Sequence, residues 1–343
     1  MELDKRKSEV LKSVVKNYIE SGVPISSHRV VRDVSFPVSP ATVRNYMAEL
    51  DEMGYLTQVY ASSGRIPTSR GFRYFVEDAL KERKRIKLTQ IKLPDIEKIK
   101  SFREVLSQIS ALISNYTKEI SLVVSPTLQD DRIKYIHFFI ATLNKLFSVV
   151  VTTLHTTEAL FIGCFDMDEQ TLHFIENFLD EKLVDKTIKE ALNLLIQNRF
   201  FESEVGKDKV LIVVHFFEAL KDEYEKRKTR EVFIRGVSNL LTTRIQIAEE
   251  RIKFLLKMLE EKETVEKILE DTKGNEKIQI VIGEENKIPE LWDYSLITVK
   301  YSIKELEGTL GLLGPIRMDY MKGIFVLEEI AEKLEQLSEK ISE

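Results

Sequence analysis

Cysteine is nearly absent from this sequence of 343 residues, which contains only Cys164. A single cysteine excludes an intramolecular disulfide and is typical of proteins in a reducing cytoplasm. Long apolar runs are also missing. The longest, VLIVVHFF at 210–217, is far too short to cross a bilayer, and the N-terminus lacks the apolar segment of an export signal. The sequence therefore predicts a cytoplasmic protein with no membrane partner.

Residues that build catalytic or metal sites are scarce and show no suitable spacing. The five histidines have no metal-ligand spacing, and Cys164 has no CxxC partner. The sequence contains neither a G-x-S-x-G elbow nor a Walker loop, and the glycines of GTLGLLG (308–314) lack dinucleotide-loop spacing. We therefore predict that the chain is not an enzyme and has no cofactor or metal.

Positive charge is scarce overall but concentrated at one end. The net charge is −5, yet residues 1–92 contain 17 basic and 11 acidic side chains, a balance of +6, and the rest carries −11. Such asymmetry is typical of a basic binding domain attached to an acidic body.

The basic segment has the element order of a winged helix-turn-helix. Helical spacing predicts a first helix over 4–21, a short second helix capped by Ser26, and a third over 39–53. The runs YLTQVYA and RIPTSRGFRYF flank an SSG turn and are typical of a two-stranded ribbon, or wing. An ordinary amphipathic helix beside a hairpin is the alternative interpretation.

The third helix, SPATVRNYMAEL at 39–50, has the side chains needed to read DNA. Ser39 and Pro40 form a helix start, and an apolar stripe follows at helical spacing. On the opposite side, Arg44 and Asn45 stand among alanines, so the helix is slim enough for a major groove. Arg bonds guanine bidentately and Asn does the same for adenine, which makes this segment a candidate recognition helix.

The rest of the chain predicts an α+β domain with another domain inserted into it. A helix (95–118) and strands come first, a long mainly helical tract occupies roughly 168–272, and strands and a last helix (318–341) follow. Arg317 and Asp319 could act together at an interface, and a structural ion pair is the other interpretation.

Several motifs resemble one protein family. SPATVRNYMAELDEMGYL with SSGRIPTSRGFRYFV resembles the N-terminal signature of the HrcA heat-inducible transcription repressors, and GTLGLLGPIRMDY (308–320) resembles their C-terminal signature. GVSNLL (236–241) and IGEEN (282–286) resemble shorter blocks between the two. The wing departs from the family pattern, since Val59 and Tyr60 stand where the family usually has Pro-His.

The resemblance implies a dimeric repressor that binds an inverted-repeat operator in double-stranded DNA upstream of chaperone operons, kept active by the bacterial chaperonin. It supports a winged helix-turn-helix followed by a GAF-like domain that a dimerising insert interrupts. We predict four segments: a DNA-binding domain and linker (1–92), a GAF-like first part (93–142), an inserted dimerisation domain (143–275) and a GAF-like second part (276–343).

From residues and resemblance together we predict the DNA-contacting side chains. They are Ser39, Thr42, Arg44, Asn45, Ser62, Ser63, Gly64, Arg65, Thr68 and Arg70. A second hypothesis remains open: a transcription regulator that senses a small molecule through its GAF-like domain. We expect the dimer contact to lie within the apolar tract 168–272.

Overall fold

The computed structural model is a mixed α/β structure. It describes residues 3–59, 64–81, 91, 102–127, 131–154, 157–197, 201–227, 230–242, 247–271, 277–303 and 306–340. None of the helices in these ranges is long and apolar enough to cross a membrane.

Three helices open the chain: α1 (Lys5–Ser21), α2 (Ser27–Val31) and α3 (Pro40–Glu52). Helix α1 begins where the Asp4 carboxylate accepts hydrogen bonds from the N–H groups of Arg6 and Lys7, both at 3.0 Å. It ends at Gly22, whose φ of +68° is the left-handed cap that glycine adopts without strain. The three predicted helices are therefore present, with the second shorter than expected.

The ribbon that follows is shorter than predicted. Strand β1 (Leu56–Gln58) pairs antiparallel with β2 (Arg65–Pro67), but the chain then forms helix α4 (Ser69–Lys81). The helix forms because Phe72 and Val76, four residues apart, are both buried on one side of it. The prediction of a strand running from Arg65 to Phe75 is wrong beyond Pro67.

A five-stranded antiparallel sheet forms the centre of the molecule. Its order is β7-β3-β10-β9-β8. The strands are β3 (Ile120–Val124), β7 (Val232–Arg235), β8 (Ile278–Ile282), β9 (Tyr294–Ile303) and β10 (Leu306–Pro315). Strands β3 and β7 pair although more than a hundred residues separate them, so a large segment must leave this sheet and return to it.

Helices cover both faces of that sheet. On one face, Val123 lies in a hydrophobic cluster with helices α5 (Phe102–Thr117) and α13 (Tyr320–Lys340). On the other face, its neighbour Leu122 packs with α11 (Glu249–Glu260) and α12 (Lys262–Asp271). A short helix α10 (Asn239–Thr242) follows β7. Consecutive residues of one strand thus point to opposite faces of the sheet and pack into two different cores, as strand geometry requires.

The intervening segment folds around a second, separate core. Strands β4 (Ile133–Ile140), β5 (Lys145–Thr152) and β6 (Thr157–Cys164) form an antiparallel sheet in that order. One face of this sheet packs on helices in a cluster of its own. The helices of this segment are α6 (Glu169–Leu183), α7 (Ile188–Gln197), α8 (Phe201–Val205) and α9 (Lys207–Arg227).

These pairings correct the predicted boundaries at 143 and 275. A boundary between 142 and 143 would separate β4 from β5, which pair from Ile133 to Thr152. At the other end, β7 already pairs with β3 at Val232, so the chain has rejoined the central sheet well before 275. The segment with its own core therefore begins before Ile133 and ends before Val232.

Candidate nucleic-acid interface

Helix α3 has the cap and the two faces that its sequence predicts. Ser39 Oγ accepts a hydrogen bond from Thr42 N at 3.1 Å, and Pro40 occupies the first helical position. Val43, Met47 and Leu50 are buried, which fixes that face of the helix against the domain core. The cap and the buried stripe together determine which side chains point away from the protein.

Arg44 and Asn45 occupy the solvent side of α3. Both are exposed, and neither forms a hydrogen bond or ion pair with any residue in the described ranges. Ala41 beside them is also exposed and adds little bulk. Two side chains with bidentate hydrogen-bonding groups are thus presented on a slim surface, without a partner in the part of the chain that the structure describes.

Two of the three acidic residues near the end of α3 are paired with cations. Glu49 Oε2 lies 2.6 Å from Lys7 Nζ, and this hydrogen bond raises the pKa of Lys7. Asp51 Oδ2 lies 2.8 Å from Arg65 Nε. These contacts neutralise two carboxylates that would otherwise oppose an approaching phosphate.

The hydroxyl groups of Ser39 and Thr42 are partly engaged with each other. Their oxygens are 2.9 Å apart, and Ser39 Oγ already accepts from the Thr42 backbone. Ser39 therefore serves first as the helix cap. Thr42 is exposed in the first turn, next to the position from which Arg44 projects.

Gly64 and Arg65 hold the ribbon against the turn before α2. The Ile25 and Arg65 backbones exchange two hydrogen bonds, each of 2.9 Å. A Cβ on Gly64 would lie 2.2 Å from Ile25 O, so only glycine fits there. The Arg65 side chain is 18% exposed and turns toward Asp51. The structure thus gives both residues contacts within the protein and does not place Arg65 on the solvent side of the ribbon.

Thr68 and Arg70 lie at the base of the ribbon. Thr68 Oγ1 donates to Gly54 O at 2.7 Å and accepts from Gly71 N at 3.2 Å, which caps α4. Arg70 stands on α4, where its guanidinium donates to Met53 O at 3.0 Å and covers the Tyr55 ring at 4.6 Å. Thr68 and Arg70 are therefore not part of the exposed surface of α3 that contains Arg44. Ser62 and Ser63 lie outside the described residues.

Sequence reasoning missed the side chains that attach helices α1 and α4 to the loops of the central sheet. Arg73 of α4 binds Glu285, and Arg317 donates to Ile19 O at 3.4 Å. Asp319 caps α13 by accepting from Lys322 N at 3.0 Å, and among the described residues it forms no ion pair with Arg317. The motifs at 282–286 and 308–320 marked these positions but did not indicate what they touch.

Comparison with known proteins identifies the family. A family model described as "HrcA protein C terminal domain" matches residues 103–324. The heat-inducible transcription repressor HrcA of Desulforamulus reducens is 30% identical over 346 residues, which cover 99% of each chain. Its counterpart in Acetivibrio thermocellus is 32% identical over 346 residues, covering 99% of this chain and 98% of the relative.

One solved structure has the same fold over the whole chain. It is the crystal structure of a hypothetical protein at 2.2 Å resolution, 26% identical, with a TM-score of 0.67 over 99% of this chain and 100% of that chain. The named relatives are transcription repressors, which are regulators and not enzymes. The chain belongs to the HrcA family of heat-inducible transcription repressors.

Proposed function

We propose that this protein represses transcription by binding an inverted-repeat operator as a dimer, through a winged helix-turn-helix formed by α1 to α3 and the β1–β2 ribbon. The observation that carries the proposal is the pair Arg44 and Asn45 on the slim side of α3, both exposed and without a hydrogen-bond or ion-pair partner among the described residues. A major groove about 12 Å wide admits one helix, and these two side chains match guanine and adenine edges.

Contacts within the protein support a division of the residues that we propose for DNA binding. Thr42, Arg44 and Asn45 remain as the reading group on α3. Arg65, Thr68 and Arg70 have contacts that support the ribbon and α4, so we assign them to holding the wing in place. Ser62 and Ser63, which lie between β1 and β2 in the sequence, stay as proposed phosphate contacts on the sequence alone.

An inverted repeat requires two copies related by a twofold axis. We propose that the copies meet through the outer face of the β4–β5–β6 sheet. Phe147 pairs across the strands with Phe139 and Phe161, with ring centroids 5.5 and 5.4 Å apart. Phe161 is 54% exposed and Tyr135 is 50% exposed. This aromatic face, with Lys145 at its end on β5, offers an exposed apolar surface of the kind that two identical copies can bury against each other.

The β4 edge of that sheet is closed to strand pairing, which favours contact through the face. Glu176 and Asp180, one turn apart on α6, accept hydrogen bonds from the N–H groups of Phe138 (2.7 Å) and Ile136 (3.2 Å) on β4. These carboxylates occupy the donors that a second chain would use. The proposal moves the dimer contact from the helical tract 168–272 to the sheet that precedes it.

Replacing Phe161 by Lys tests the dimer contact. The charge would have to be buried between copies, so we expect monomers at concentrations where the wild type is dimeric, measured by light scattering. Phe174→Lys, which changes an aromatic residue of α6 that is 44% exposed, is the matched control and should leave the dimer intact. Dimeric Phe161→Lys would exclude this face.

We further propose that the five-stranded sheet with its two helical layers is a GAF-like domain. A cavity of about 10 Å³ lies between that sheet and α11 and α12, lined by Leu122, Met258 and Leu313 among others. It has room for about one water molecule and none for an organic ligand. This cavity does not favour the small-molecule sensor over the repressor without a ligand.

Chaperone operons as targets and a bacterial chaperonin as modulator are proposed from family membership alone. The central experiment is a gel shift with an inverted-repeat duplex from upstream of a chaperone operon, against scrambled DNA at fixed salt, with and without the chaperonin. We expect a sequence-specific shift that the chaperonin strengthens. Equal affinity for both duplexes would reject the repressor proposal.

A further inference from the structure

We call helices α1 to α4 with the β1–β2 ribbon the DNA-reading unit, and the five-stranded sheet with its covering helices the body. Two loops of the body contact the DNA-reading unit on one side. The first is the 3₁₀ turn Gly283–Glu285 after β8, and the second is the turn between β10 and α13. They touch α4 and α1, respectively, through Arg73–Glu285 and Arg317–Ile19. We call these two contacts the clasp. The proposed operator binding assigns no role to any of these residues.

The Arg73–Glu285 contact is bidentate and partly shielded from water. Arg73 Nε donates to Glu285 Oε1 at 2.8 Å, and a terminal nitrogen donates both to Glu285 Oε2 and to Ile280 O, the latter at 2.6 Å. The side chains are 29% and 33% exposed. Glu285 is itself held by the Ile282 N–H at 2.8 Å, so the carboxylate is oriented before the arginine reaches it.

The same turn meets the start of α4 at close range. Glu284 N donates to Ser69 Oγ at 3.3 Å. A Cβ on Gly283, whose φ is +53°, would lie 2.5 Å from Ser69 Oγ. The positive φ and the close approach to α4 both favour glycine at this position.

The second contact joins the other loop to the end of α1. Arg317 donates to Ile19 O at 3.4 Å, in the last turn of the helix, where the free carbonyl groups carry partial negative charge. A Cβ on Gly22 would lie only 3.2 Å from Arg317 Cζ. The cap residue of α1 thus leaves the space that the guanidinium occupies.

Apolar packing continues between the two polar contacts. The ring centroids of Phe72 on α4 and Tyr320 on α13 are 5.9 Å apart, and Tyr18 of α1 lies 6.2 Å from Phe72. Buried residues of α1, α3 and α4 belong to the same hydrophobic cluster as those of β9 and α13. The reading unit is therefore docked on the body as one packed piece.

The helices that pack on the body also hold α3, the proposed recognition helix, in place. Lys7 of α1 binds Glu49 of α3 at 2.6 Å, and both helices share the buried cluster. A rotation of α1 and α4 on the body would move Arg44 with them.

We propose that the clasp sets the distance and angle between the two reading helices of the dimer, and that Arg73, Glu285 and Arg317 are positioning residues for operator binding. The inference rests on the proposed function. Two rigidly held DNA-reading units match one distance between the half-sites. Loosely held units can bind at several distances, but the second unit then has a lower effective concentration at its half-site. Breaking the clasp therefore weakens binding at the preferred spacing and relaxes the dependence on spacing.

The test compares spacing variants of one DNA duplex. The duplex is the one that the full-length wild type selects from a random-sequence pool. Its derivatives carry five or ten extra base pairs between the half-sites, and another contains a single half-site. The protein variants are Arg73→Glu, Glu285→Arg, the double exchange of both, and Glu285→Gln. Glu335→Gln, which breaks the surface pair with Lys277 (3.1 Å) within the body, is the matched control.

We expect each single reversal to lower affinity for the selected duplex roughly tenfold, with half-site affinity unchanged, since only the intramolecular second contact weakens. The penalty for inserted base pairs shrinks in the single variants, and the double exchange restores both values. The control behaves as wild type. Fluorescence of Trp292, the single tryptophan, reports folding of the body in each variant.

Three results would overturn the inference. Unchanged spacing preference in the single variants means that the clasp does not position the DNA-reading units. Higher affinity for the selected duplex means that it holds them away from DNA. An equal loss on the half-site means that the residues act only through folding of the unit. A wild type that selects no inverted repeat would instead overturn the proposed function, and this inference with it.

Discussion

Glu119 should make the stability of this protein fall as the pH rises. This residue follows α5 and packs against the end of β10, where a Cβ on Gly314 would lie 2.6 Å from its Oε2. Burial raises the pKa of its carboxyl group from 4.5 to about 8, and the nearby charge of Arg317 only partly offsets that effect. The folded protein therefore retains a proton here that the unfolded chain releases.

The sign and size of the effect follow from that difference. Between about pH 4.5 and 8 the folded state binds one more proton than the unfolded state, so the free energy of unfolding decreases with pH. The slope is at most about 1.4 kcal/mol per pH unit, which gives a loss of roughly 2–3 kcal/mol from pH 5.5 to 7.5. Glu119→Gln has nearly the same shape and no charge, so it should remove this part of the slope.

Urea unfolding at several pH values, followed by Trp292 fluorescence, measures the effect. The wild type should lose stability from pH 5.5 to 7.5 relative to Glu119→Gln, and the two should converge toward pH 4.5. Glu307→Gln, an exposed carboxylate on β10, is the control and should follow the wild type. Parallel curves for the wild type and Glu119→Gln would refute the idea that a buried proton is held there.

Further variants test α3 and the ribbon. Arg44→Ala or Asn45→Ala should each cost roughly 1–3 kcal/mol of discrimination at particular operator positions, in titrations on matched and scrambled duplexes, and unchanged preference would contradict base reading. Met47→Ala should lower stability by roughly 2–5 kcal/mol in melting curves, since it empties a buried site. Ser39→Ala should cost about 0.5–2 kcal/mol and Ser39→Asp much less, because only the latter keeps a cap acceptor. Gly64→Ala should lower the melting temperature more than Ala41→Gly, given the 2.2 Å approach of Ile25 O.

Local chemistry made the opening helices predictable. The limits of α1 and α3 follow from Asp4, Ser39, Pro40 and the glycines at 22 and 54, each acting within a few residues of the helix end. The sequence after Pro67 was predicted to be a strand because its aromatic residues suit a strand as well as a helix. What decided between them was the burial of Phe72 against Tyr320, a contact that no local pattern contains.

Nonlocal pairing explains why the sequence did not predict where β4 pairs or what Arg65 contacts. Periodicity identified β4 as a strand, but not that it pairs with β5 instead of the central sheet. The exposed side chains Arg44 and Asn45 were predictable because helix geometry alone sets their direction. The inward turn of Arg65 was not, because it depends on Asp51, a residue of α3 that the ribbon reaches only in the folded unit.

The charges of the reading unit show why a net charge of −5 is a poor guide to what this protein binds. Many acidic groups there lie beside a basic one, so their fields largely cancel at a distance. The pairs in question are Asp4–Lys7, Glu49–Lys7, Asp51–Arg65, Asp78–Lys12 and Glu285–Arg73. Arg44 has no such partner within the described ranges, and Glu52 lies two turns further along α3. A phosphate or base edge approaching α3 therefore meets a cation that pairs with no carboxylate of the described residues, whatever the net charge of the chain.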